Sequence, residues 1–184
     1  MADRPEDAER IIARGLNVNP DNGWLKLAQG AVHIMRKDSA EIKEAEELLR
    51  KEVRDNGGDP WVEEHFMGVM YCWAKDSLTA SGYFRKAWEM DPERMNSLGF
   101  LIACQLESNV NLEECLRLAD IRLAKMPDSV FSWFYKGSCL FKLGRYEESL
   151  VCLREAQNRE IAFFVKIKQY ISMAEQALAL QVQQ

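Results

Sequence analysis

Residues 68–92 read GVMYCWAKDSLTASGYFRKAWEMDP, and the sizes of their side chains follow a pattern that recurs along the chain. Small residues stand at Gly68 and Ala80, a large ring follows at Phe84, and Ala87 and Pro92 complete the set. The same or similar steps connect Gly137, Ser149, Leu153 and Ala156, then Ala103, Cys115, Ala119 and Pro127, and in part Ala8, Ile12, Gly15 and Pro20. A recurrence of about 34 residues indicates stacked copies of one small structural unit.

The apolar residues recur with helical spacing, and no segment alternates like a strand for long. Helices are expected at roughly 5–18, 22–37, 40–55, 60–75, 77–90, 93–108, 112–126, 129–143, 145–158 and 160–180. Small residues such as Gly68 and Gly137 in one helix allow the backbone of the next helix to approach, and Phe84 and Leu153 fill the seam. The pattern therefore predicts an all-α, right-handed solenoid of antiparallel helix pairs.

The composition limits the class of protein. With 184 residues and 47% apolar content, the chain is long enough to form one domain, 1–184, with a continuous core. A formal net charge of −5 disfavours nucleic acid as a partner, and no apolar run approaches the ~18 residues needed for membrane insertion. Five cysteines without a C-x-x-C pair indicate buried thiols in a reducing compartment, so a cytoplasmic location is expected.

These features resemble the tetratricopeptide repeat, a helix-turn-helix unit of about 34 residues. The resemblance implies a half repeat or N-terminal cap at 5–20, repeats at 24–57, 61–92, 96–127 and 130–158, and a capping helix at 160–180. The copy at 130–158 fits best, through Trp133, Gly137, Leu140, Gly144, Tyr146, Ser149, Leu153 and Ala156. The copy at 96–127 departs from the pattern at Gly99 and Arg122, where a large and a small residue are usual. The copy at 24–57 needs two extra residues in its turn, near Lys37.

In tetratricopeptide arrays the first helix of each repeat lines a concave groove. The resemblance therefore implies a partner-binding groove formed by Leu25, Met35, Val62, His65, Val69, Trp73, Phe100, Cys104, Phe131, Phe134 and Phe141. A contiguous apolar patch of this kind is typical of a surface that binds a partner. The alternative is that superhelical closure, the C-terminal helix or self-association buries these side chains.

The expected function is that of a non-enzymatic adaptor or scaffold subunit, without cofactor or metal, that binds an apolar segment of a protein or peptide. The groove lacks the Lys, Asn and Arg set with which related co-chaperones hold a C-terminal carboxylate. A second hypothesis is a chaperone similar to those of type III secretion, which holds a hydrophobic client. A third, less favoured, is a redox or metal enzyme using Cys72 and His65, which lie seven residues apart on one predicted helix.

Overall fold

A computed structural model describes residues 5–37, 39–159 and 165–181. These residues form ten helices and contain no strand, which confirms the prediction of an all-α chain. The helices are α1 (Pro5–Val18), α2 (Gly23–Arg36), α3 (Ser39–Asp55), α4 (Pro60–Trp73), α5 (Ser77–Met90), α6 (Met95–Ser108), α7 (Leu112–Lys125), α8 (Val130–Lys142), α9 (Tyr146–Asn158) and α10 (Val165–Gln181).

The predicted helix ends differ from the observed ones by no more than two residues where both are described. The predicted start of the last helix, at residue 160, and Phe163 lie outside the described residues. Asp76 caps α5, because its side chain accepts a hydrogen bond from the backbone N–H of Thr79 at 3.1 Å. A proline at the first position of α4, Pro60, suits a helix start because that position needs no hydrogen-bond donor.

The chain divides into two compact units, Met1–Ser97 and Leu98–Gln184, with the division inside α6. In the first unit, α2 packs on α1, α3 and α4, and α4 packs on α5. In the second unit, α8 packs on α7, α9 and α10, and α9 also packs on α10.

Each unit contains a closely packed helix pair in which a glycine of one helix faces a large side chain of the next. A Cβ atom added to Gly68 in α4 would lie 2.7 Å from the ring of Phe84 in α5. A Cβ atom added to Gly137 in α8 would lie 2.8 Å from Cγ of Leu153 in α9. Phe84 and Leu153 are fully buried, so the large residue of one helix fits against the bare backbone of the other. The size pattern in the sequence thus corresponds to real interhelical packing.

The cysteines act as small packing residues. Cys72 is half-buried and the other four, Cys104, Cys115, Cys139 and Cys152, are buried. The Sγ atoms of Cys115 in α7 and Cys139 in α8 are 2.9 Å apart. Hydrogen bonding to Cys115 and burial raise the pKa of Cys139, and burial raises the pKa of Cys152. These two thiols are therefore protonated at neutral pH and are poor nucleophiles.

Two stacked tyrosines hold α3 against α4 and α5. The hydroxyl groups of Tyr71 and Tyr83 both donate to Oε1 of Glu46, at 2.7 Å and 3.1 Å. Their ring centroids are 5.3 Å apart. Burial, together with the carboxylate of Glu46, raises the pKa of Tyr83 to about 12 and raises that of Tyr71 further.

Alkaline pH is expected to unfold the chain through these tyrosines. The folded state keeps Tyr83 protonated up to about pH 12, whereas an unfolded tyrosine ionises near pH 10. Their contribution to the free energy of unfolding is therefore intact below about pH 10 and declines as the pH rises through about 12. Urea unfolding across this range, with tyrosinate absorbance at each pH, measures the effect. Tyr83→Phe should make the decline shallower, and a native Tyr83 that ionises near pH 10 would contradict the expectation.

Candidate protein-interaction surface

The eleven residues of the expected groove differ widely in exposure. Four are exposed, four are half-buried and three are buried. The exposed residues are Met35, Trp73, Phe100 and Phe131; the half-buried ones are Leu25, Val62, His65 and Phe141; the buried ones are Val69, Cys104 and Phe134. All eleven lie on α2, α4, α6 and α8, the first helices of the expected repeats.

The expectation that Val69, Cys104 and Phe134 are surface residues is wrong. Phe134 is 7% exposed and belongs to a core cluster with Leu153 and Ile167. Its ring meets the ring of Tyr170 in α10 edge to face, with the centroids 5.6 Å apart. The physical reason is that α10 supplies an apolar face that covers this part of α8.

Val69 is buried because α4 is surrounded on several sides. Helices α2, α3 and α5 all pack on α4, and its residues 67–71 are all buried. Cys104 is 2% exposed, and it lies close enough to Tyr135 to affect the pKa of that phenol. Phe141 is intermediate, because its ring contacts Tyr146 and Tyr170 at centroid distances of 5.5 Å and 5.3 Å.

In the first unit, three aromatic residues form a patch that we call the aromatic patch: Trp24, Phe66 and Trp73. The centroid of Trp24 lies 5.7 Å from that of Phe66 and 5.9 Å from that of Trp73. Trp24 and Trp73 are 59% and 42% exposed. Such exposed indole rings combine a large apolar area with few rotatable bonds, which suits a binding surface.

Sequence reasoning identified Trp73 and missed Trp24 and Phe66. One signal for Trp24 was available, since Trp24 and Met35 are eleven residues apart. That spacing is close to three helical turns and places both residues on one side of α2. No comparable signal identified Phe66, because its neighbours on α4 are apolar on most sides of the helix.

His65 is held inside the first unit by polar and aromatic contacts. Its Nδ1 atom lies 2.9 Å from Oγ of Ser97, and its ring meets those of Trp61, Phe66 and Phe84. Burial lowers the pKa of His65, so the ring is neutral at neutral pH. A neutral imidazole bonded to Ser97 fits a packed side chain.

In the second unit, Phe100 on α6 and Phe131 on α8 carry exposed rings. The two residues are 43% and 46% exposed. The ring of Phe131 lies 6.2 Å from that of Tyr135, centroid to centroid. Burial raises the pKa of Tyr135, which is therefore a neutral, mostly apolar neighbour. Phe131 thus lies exposed beside the aromatic ring of Tyr135 on the same helix.

Across 5–37, 39–159 and 165–181, no group of three or more His, Cys, Asp or Glu residues is arranged to hold a metal ion. Within the same ranges, no helix has the length and apolar character required to cross a bilayer.

No protein-family model matches the sequence, and no curated protein does. Solved structures do match. MamA, residues 41 to the end, from Desulfovibrio magneticus RS-1 has a TM-score of 0.60 at 14% identity, over 100% of this chain and 96% of that one. YrrB, described as a TPR protein with an unusual peptide-binding site, has a TM-score of 0.58 at 16% identity. The match covers 93% of this chain and 84% of YrrB.

The TPR domain of P58(IPK) has a TM-score of 0.58 at 11% identity, over 96% of this chain and 52% of that one. At these identities the likeness concerns the arrangement of helices. It agrees with the size pattern at Gly68 and Gly137, which predicted the same repeat from the sequence. The chain therefore has the fold of the tetratricopeptide-repeat proteins.

Proposed function

We propose that this protein is a non-enzymatic adaptor that binds an apolar segment of another protein. The observation that carries the proposal is the exposure of aromatic side chains on first helices in both units. Trp24 and Trp73 lie on α2 and α4, and Phe100 and Phe131 lie on α6 and α8. Exposed aromatic residues of this size are typical of protein interfaces and dominate their binding energy.

The partner segment is extended or helical and carries apolar side chains. In the first unit the aromatic patch is the surface for such a segment, and in the second unit Phe100 and Phe131 provide a surface of the same kind. Phe134, Val69 and Cys104 support this surface from inside rather than touching the partner, since they are buried. The peptide-binding site described for YrrB supports the choice of a peptide as partner. Cytoplasm is the location that we propose, because reduced thiols suit it.

Peptides selected for binding to the native chain from a random display library test this proposal. Trp73→Ala combined with Phe131→Ala is expected to weaken binding of the selected peptides at least tenfold, because each ring contributes as a hot spot worth about 2 kcal/mol. Circular dichroism should show unchanged helicity, because both side chains are exposed. Fluorescence anisotropy with labelled peptides gives the dissociation constants.

A matched variant controls for loss of apolar surface in general. Leu78→Ala with Val151→Ala removes two side chains that are 62% and 64% exposed on the second helices α5 and α9. This variant should bind the peptides as the native chain does. Equal binding by the native chain and the Trp73/Phe131 variant would contradict the proposed surface.

A further inference from the structure

A cavity of about 590 Å³ lies in the first unit between α2, α3 and α4. Its walls include Leu27, Val53 and Met70, which are buried, and Trp24 and Leu48, which are exposed. The cavity therefore runs from a buried apolar floor to an opening beside Trp24 and Leu48. Its volume is within the range of about 300–1,000 Å³ that is usual for small-molecule sites.

Helix α2 approaches α3 and α4 at Gly30, where an added Cβ atom would lie 3.3 Å from Cβ of Ala45 and 2.3 Å from Sδ of Met70. In the register of the repeat, Ala31 of α2 corresponds to Gly68 and Gly137, and it is buried. Of the described side chains of α3, Val53 is buried, whereas Leu48 is 45% exposed and Leu49 is half-buried. Apolar surface of α3 at Leu48 and Leu49 thus remains partly uncovered beside the cavity.

Two charged contacts hold α2 and α3 across this space. Nζ of Lys26 lies 3.0 Å from Glu52, and Nδ1 of His33 lies 2.8 Å from Glu41. Both pairs join the two helices and line the cavity. They fix the distance between α2 and α3 without filling the volume between them.

The lining is apolar with an excess of carboxylates. Three glutamates, Glu41, Glu44 and Glu52, face one lysine, Lys26. Glu44 is exposed and makes no ion pair with any residue in the described part of the chain. Uncompensated negative charge beside an apolar volume attracts a cation that carries an apolar body.

The aromatic residues of the wall favour the same kind of ligand. Trp24 and Phe66 line the cavity, with their ring centroids 5.7 Å apart in an edge-to-face arrangement. The face of an indole or phenyl ring attracts ammonium groups, and quaternary ammonium ions are recognised in proteins by such rings. The apolar floor, the aromatic wall and the carboxylates thus all favour the same ligand, an ammonium ion with an apolar body.

We propose that this cavity is a binding site for a small apolar ammonium ion, with its alkyl part against Leu27, Val53 and Met70 and its charge near Trp24 and Glu44. The cavity shares Trp24 and Phe66 with the aromatic patch, but the proposal does not depend on the adaptor function, which is tested at Trp73 and Phe131. One can therefore fail without the other.

Decyltrimethylammonium and decanoate are suitable probes, because they have alkyl chains of similar length and opposite charges. In a titration followed by NMR, the ammonium ion should produce saturable shifts of the Trp24 indole and the Met70 methyl group. Decanoate should bind at least about tenfold more weakly, because the lining has three glutamates and only one lysine among its described residues. Equal affinity for the two probes, or shifts that lie outside the cavity, would overturn the proposal.

Leu48→Arg and Leu78→Arg form a matched pair of variants. Both leucines are exposed, at 45% and 62%, and only Leu48 lines the cavity. Leu48→Arg should weaken the binding of decyltrimethylammonium at least tenfold, and Leu78→Arg should leave it unchanged. Circular dichroism confirms that both variants stay folded. A Leu48→Arg variant that binds the ammonium ion like the native chain would contradict the site.

Glu44→Gln separates the charge from the shape of the cavity. This substitution keeps the size of the side chain and removes the charge that has no ion pair. It should reduce the preference for decyltrimethylammonium over decanoate several-fold, with little change in the affinity for decanoate. An unchanged preference would show that the carboxylate of Glu44 does not contribute.

Discussion

Phe134→Ala is expected to lower the free energy of unfolding by about 3–5 kcal/mol, a loss typical of truncating a buried aromatic ring. The ring is 7% exposed and packs with Leu153, Ala156 and Ile167, and Tyr170 meets it edge to face. The alanine variant would leave a cavity between α8, α9 and α10. Urea unfolding followed by circular dichroism measures the change.

Phe131→Ala is the control on the same helix. Phe131 is 46% exposed, so its loss should cost about 1 kcal/mol or less. The pair separates a core role from a surface role for two phenylalanines three residues apart. If Phe134→Ala proved as mild as Phe131→Ala, the packing of α10 on α8 would be contradicted.

Phe84→Ala is expected to lower the free energy of unfolding by a similar amount, about 3–5 kcal/mol. The Phe84 ring is fully buried and fills the seam between α4 and α5 beside Gly68. It also contacts the His65 ring, with the centroids 5.4 Å apart. Urea unfolding again provides the measurement.

Leu78→Ala is the matched control in α5, because Leu78 is 62% exposed. Its loss should change the free energy of unfolding by about 0.5 kcal/mol or less. A Phe84→Ala variant no less stable than Leu78→Ala would show that the seam between α4 and α5 contributes little.

The sequence predicted the helices and their pairing because the determining interactions are local in the repeat. Gly68, Ala80 and Phe84 lie within 16 residues of each other, and Ala80 and Phe84 are fully buried. Close approach of two helices depends on side-chain volumes at a few positions, and those volumes are visible in the sequence. The same reasoning succeeded at Gly137 and Leu153.

The departures at Gly99 and Arg122 show a limit of that reasoning. In the structure, a Cβ atom on Gly99 would lie 3.2 Å from Nε of Arg122, so the long side chain occupies the space that the glycine leaves. The guanidinium also donates to Ser132 at 2.6 Å and lies over the Tyr135 ring. A large residue at one position thus compensates for a small one 23 positions away. Position-by-position comparison with a repeat pattern does not reveal such an exchange.

The exposure of the candidate surface was less predictable than the fold. Phe131 and Phe134 share α8, yet one ring is exposed and the other is buried. The difference depends on where α10 packs, which is a tertiary contact between segments far apart in the sequence. The sequence pattern likewise did not predict the cavity in the first unit, because its walls are formed together by residues of α2, α3 and α4.

A double-mutant cycle on Gly68 and Phe84 tests most directly whether nested small and large residues hold the helix pairs together. The three heavy atoms nearest to a Cβ atom on Gly68 all belong to the Phe84 ring, at 2.7 Å to 2.8 Å. Gly68→Ala should cost about 1–3 kcal/mol through overpacking, and Phe84→Ala removes the ring that it strikes. The double variant should therefore be more stable than the sum of the single losses predicts, by at least about 1 kcal/mol. Strict additivity of the two losses would contradict this account of the fold.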